Sequence, residues 1–99
     1  MKLVIRRSHK ETPAGLHFVL SCRLEVSPAE TELIKRYAPA YRFGKLGDIW
    51  DLIGQGITLE DKDVTDLRAR EDKVKKACQD LRAYLEGAQH YQGQEEVEF

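Results

Sequence analysis

A chain of 99 residues with a formal net charge of −1 is the length of one domain, and folding it buries about 65% of the surface its unfolded form exposes, enough for one modest core. Its 41% hydrophobic and 33% charged residues are too apolar for a disordered segment, and no run is long enough to span a bilayer. The charge balance excludes a molecule that draws polyanions by its overall field, so an electrostatic partner must meet a local patch.

The opening MKLVIRRSHK places arginines after three consecutive apolar residues, short of a signal-peptide core, which predicts a cytoplasmic chain. KLVIRR, Lys2 to Arg7, reads as a short first strand with Leu3 and Ile5 inward. SHKETPAG follows as a loop marked by Pro13 and Gly15. In LHFVLSCRLEV the even positions Leu16, Phe18, Leu20, Cys22, Leu24 and Val26 are all apolar and the odd ones mostly polar. That period of two predicts a long strand with one buried face. The two strands form a hairpin in which the second outruns the first.

SPAE, Ser27 to Glu30, carries serine at the N-cap, proline at the first helical position and glutamate at the third, which together start a helix. Leu33, Ile34 and Tyr37 form its apolar stripe, and Ala38-Pro39 ends it. Tyr41 to Phe43 alternates as a short strand does. In GDIWDLIGQG, Asp48 caps a turn or two of helix that Gly54 stops. Ile57 to Glu60 alternates again as a strand. Between Asp61 and Tyr91, Val64, Leu67, Val74, Cys78, Leu81, Leu85 and Ala88 recur at steps of three and four, interrupted where Glu71 occupies the stripe, so this is a long amphipathic helix. In QGQEEVEF, Val97 and Phe99 alternate with Glu96 and Glu98, which suggests a terminal strand whose acids suit pairing beside the basic first strand. These elements give an α+β fold: an antiparallel or mixed sheet of three to five strands, covered on one face by a short and a long helix.

The stretch IKRYAPAYRFGKLG, Ile34 to Gly47, holds four cations, three aromatic rings and no acid, the ingredients of a single-stranded nucleic-acid grip. Lys35, Arg36, Tyr41, Arg42 and Lys45, with Arg6 and Arg7 of the first strand, are the candidate contacts. The same residues are also those of a connector, with cations suiting a helix C-terminus and rings turned to a core. No recognised nucleic-acid motif accompanies them.

Catalytic and metal-binding patterns are weaker still. His17 and Cys22 stand an odd number of residues apart on one strand and so face opposite sides, while Cys78 and His90 are about 18 Å apart along one helix. Counted from Asp61 as a calcium loop, the chain has Asp66 where glycine is required and Asp72 where glutamate is expected. Cys22 and Cys78 read as reduced core thiols. No cofactor or metal is predicted. The expectation is therefore a non-catalytic binding domain that associates with itself, as a homodimer, or with another protein, without a membrane. The alternative is a nucleic-acid-binding module built on residues 34–47 and the first strand.

Overall fold

The alternating residues of the N-terminal third do form strands. In the computed structural model, which describes all residues 1–99, Lys2–Thr12 (β1) and Gly15–Glu25 (β2) pair antiparallel along all eleven residues of each. Ile57–Asp61 (β3) pairs antiparallel with residues 18–22 of β2, giving a three-stranded sheet in the order β1-β2-β3. Pro28–Tyr37 (α1), Ile49–Ile53 (α2) and Val64–Gln89 (α3) complete the α+β architecture. None of these helices is long and apolar enough to cross a membrane.

Side-chain parity sorts the sheet into two faces. Leu3, Ile5 and Arg7 of β1 lie beside Leu24, Cys22 and Leu20 of β2, which in turn pair with Ile57 and Leu59 of β3. This face carries the helices. Its thirteen buried apolar residues include Ile34 of α1, Ile49 and Leu52 of α2, and Leu67, Val74, Leu81 and Leu85 of α3. The opposite face, with Lys2, Val4, Arg6, Arg23, Thr58 and Glu60, has nothing over it: the shortest dimension of the molecule is 18 Å, the thickness of one sheet and one helical layer.

The caps at Ser27 and Asp48 are those the spacing predicts. Ser27 Oγ accepts from the Glu30 N–H at 3.1 Å while Glu30 Oε1 accepts from the Ser27 N–H at 2.9 Å, a reciprocal capping box. Asp48 accepts from the N–H groups of Trp50 and Asp51, and Asp63 from that of Thr65 at 2.8 Å. Two acids of the run compared with a calcium loop are thus caps, with Asp61 accepting from the Asp63 N–H at 2.9 Å, and Glu60 and Glu71 are held in ion pairs.

Three expectations are corrected. The first strand does not end at Arg7: it continues to Thr12, and the connection is a two-residue turn, Pro13-Ala14. Residues 6 to 16 other than Thr12 are exposed, so the hairpin tip has no buried face and needs no apolar alternation, which is why SHKET does not look like a strand. Consequently β2 is not left unpaired by a short neighbour. Second, Tyr41 to Phe43 forms only an isolated bridge between Arg42 and Asp48. Phe43 is buried and Tyr41 half-buried, so the inward alternation is real but serves a loop packed on α3. Third, QGQEEVEF adds no strand to its own sheet: residues 91–99 are exposed and have no regular structure.

Candidate functional site

The seven candidate contacts do not converge. Arg6 and Arg7, neighbours on β1, point to opposite faces. Arg7 lies on the helical side, where its Nε and Nη2 donate to Glu71 Oε1 and Oε2 at 2.8 and 2.9 Å. Lys75 adds a third contact to Glu71 at 3.1 Å. Glu71 is buried, and this fork explains why an acid can occupy the apolar stripe of α3. Arg6 projects from the open face beside Ser21, its cross-strand neighbour.

Ile34, Tyr37, Tyr41 and Phe43 of the basic and aromatic stretch pack on the helical side. Lys35 sits 3.5 Å from Glu32, and the Arg36 guanidinium lies over the Tyr37 ring at 5.4 Å. The Tyr41 hydroxyl donates to the Ala77 carbonyl of α3 at 3.1 Å, and its ring meets Phe43 edge-on with centroids 6.0 Å apart. Burial pushes the Tyr41 phenol up. Trp50 Nε1 donates to the Pro39 carbonyl at 2.7 Å, tying the segment to α2. Arg42 and Lys45 are exposed. The sheet therefore separates Arg6 from Tyr41, whose ring and hydroxyl are engaged within the fold.

The titratable clusters are similarly local. His17 Nδ1 lies 2.7 Å from Glu60 Oε1, and Lys10 reaches the other carboxylate oxygen at 2.9 Å. The hydrogen bond to His17, then that to Lys10, holds the Glu60 carboxyl below its ordinary range. His9 is on the other face, edge-on to Phe18 at 6.3 Å. Cys22 is buried and Cys78 half-buried, both as free thiols. Burial raises both, Cys78 to about 11, which keeps them protonated and weakly nucleophilic at neutral pH.

Comparison with family models, with curated proteins and with solved structures finds no match to this chain.

The feature that stands out geometrically is the outer edge of β1, which no residue of the chain pairs. A two-residue turn makes the flanking Thr12 and Gly15 a hydrogen-bonded pair. Counting back, the even residues of β1 bond to β2, and Leu3, Ile5, Arg7, His9 and Glu11 turn their backbone N–H and C=O groups outward. Beside this edge, Met1, Leu3, Leu24, Cys78 and Arg82 help to line a groove of about 230 Å³ between β1 and α3. On the other face, Lys2 and Arg6 stand outside the ion pairs that engage Lys10 and Arg23. The full length of this edge is hidden in the sequence, because SHKET carries no alternation. The one signal that pointed to it was the density of cations in KLVIRRSHK, a common protection of edge strands.

The Arg7 and Glu71 pair makes a prediction about acid stability. Its hydrogen bond to Arg7 holds the Glu71 carboxyl below the ordinary value of 4.5, against a smaller opposing effect of burial. A depressed folded-state value contributes stability that is present above the unfolded value and lost as pH falls through the folded one. The wild-type Tm should therefore fall with acidification below about pH 4.5 more steeply than that of Glu71→Gln. The difference between the two should be largest at neutral pH. Parallel pH profiles would show that this pair is not linked to folding.

Proposed function

We propose that this chain is a small binding domain that works by self-association, with the outer edge of β1 as its interface. The observation that supports this reading is an eleven-residue strand with one row of backbone groups unpaired. Such a row is a template for another strand, and pairing it satisfies donors and acceptors in a regular ladder. The adjoining groove supplies apolar contact on one side of the edge, and the uncovered basic face supplies charge on the other. Closure by a two-fold axis is the commonest way for one copy to cover another's exposed surface.

The test combines light scattering with residue-resolved amide exchange over a wide concentration range. The expected result is a mass rising to that of two copies. Exchange at Leu3, Ile5, Arg7, His9 or Glu11 should slow in step, while the even-numbered amides from Val4 to Lys10, already bonded to β2, change little. A strict monomer at every concentration would overturn the reading.

A further inference from the structure

The edge of β1 and the segment that follows α3 are complementary. β1 carries Lys2, Arg6, Arg7 and Lys10 against Glu11, a formal +3 with histidine neutral, whereas Gln94 to Phe99 carries Glu95, Glu96 and Glu98, a formal −3. Two copies of β1 placed side by side would set cations against cations, which is unfavourable between neighbouring strands. An acidic strand beside the same edge is favoured.

The side-chain pattern agrees with the charge. In Glu96-Val97-Glu98-Phe99, extended geometry sends both glutamates to one side and both apolar residues to the other. Laid along β1 with the glutamates on the open face, they stand near Lys2 and Arg6. Val97 and Phe99 then face the helical side, where the groove beside Leu3, Leu24 and Cys78 lies. In the single chain both apolar residues are out in solvent: Val97 is 61% exposed and Phe99 fully so.

The place where the segment leaves the body also fits. Leu85, Glu86 and Gln89 of α3 line a depression with Met1 and Glu30, so α3 ends at the N-terminal end of β1. A two-fold axis near that end would bring the end of each α3 to the start of the other copy's free edge. Ten residues beyond α3 reach at most about 36 Å when extended, and the six residues Lys2 to Arg7 occupy about 20 Å of strand. Length therefore does not prevent exchange.

We infer that residues Gln94 to Phe99 of one copy add as a strand to the outer edge of β1 of a second copy, reciprocally, to form a closed dimer. This rests on the self-association reading above and names both halves of the contact. Each protomer would then contribute a four-stranded sheet with its acidic strand outermost, and the exposed Val97 and Phe99 would be covered.

The experiment compares the full chain with a variant ending at Gly93, using light scattering and amide exchange as before. The full chain should dimerise and the shortened chain should be monomeric. Adding a synthetic QGQEEVEF peptide to the shortened chain should restore slow exchange at Leu3, Ile5 and Arg7. Glu96→Lys with Glu98→Lys in the full chain should weaken association about tenfold or more, and adding Lys2→Glu with Arg6→Glu should recover part of the loss. If the shortened chain still dimerises, the strand exchange is wrong while self-association stands. If the full chain stays monomeric but its edge amides are protected only when the tail is present, the tail closes on its own copy and both statements fail. A full chain that is monomeric with unprotected edge amides also defeats both.

Discussion

Leu81→Ala should lower stability by about 2–5 kcal/mol, the range for truncating a leucine in a core that cannot fully collapse. For a domain of this size that lowers Tm by about 10 °C or more, a large part of a total stability of about 5–15 kcal/mol. Leu81 is completely buried and belongs to one core cluster with Leu24 of β2 and Ile34 of α1, where three elements meet and each restrains the others from closing a void. Tyr84, one turn on along α3, is 53% exposed, and Tyr84→Ala should change stability by no more than about 0.5 kcal/mol. Thermal unfolding of the two variants thus reads the rotational setting of α3: similar losses at both positions would mean that the helix does not present Leu81 to the core.

Gly56→Ala should cost about 2–4 kcal/mol, from backbone strain and a steric clash together. Gly56 has φ +83°, and a Cβ there would stand 2.6 Å from the Cys22 carbonyl oxygen and 3.2 Å from Arg23 Cβ. The obstacle is backbone, and it cannot swing aside, because Cys22 pairs with Ile5 on one side and Ile57 on the other. Relief would therefore come at the expense of β3, the shortest strand. Gly44 and Gly87 separate the contributions. Gly44 has φ +59° with nothing near its missing Cβ, so Gly44→Ala should cost only about 1–2 kcal/mol of left-handed strain. Gly87 lies in open space within α3, and Gly87→Ala should stabilise by about 0.5–1 kcal/mol. Equilibrium unfolding that ranks the three in any other order would contradict the close approach at Gly56.

The proposed dimer bears on how such core variants are measured. Anything that binds only the folded state adds stability by mass action, so an associating chain has a Tm that depends on concentration. Comparisons of Leu81→Ala and Gly56→Ala with wild type belong at one fixed concentration, or on the chain ending at Gly93.

Local rules were sufficient wherever the determinant is short in range. The capping box at Ser27 and Glu30, the Asp48 cap, the stop at Ala38-Pro39 and the seam of α3 all depend on residues within a turn or two of one another, and each is visible in SPAE, GDIWD, YAP or the three-and-four spacing. The core-facing half of β2 was equally plain, because a strand with one buried face must alternate. Even Glu71 announced itself as an interruption of the stripe.

What the sequence could not decide is how far β1 runs, what lies beside it and where the cations go, and these are matters of tertiary structure. A hairpin tip solvated on both faces carries no period, so SHKET gives no strand signal although β2 holds it in register to Thr12. Arg6 and Arg7 look equivalent in a string of letters, yet strand parity sends one to open solvent and the other to Glu71, sixty-four positions away. QGQEEVEF has the alternation of a strand, but alternation describes what a segment can do beside a partner. Whether a partner edge is in reach is set by where α3 ends, and in the single chain that segment pairs with nothing.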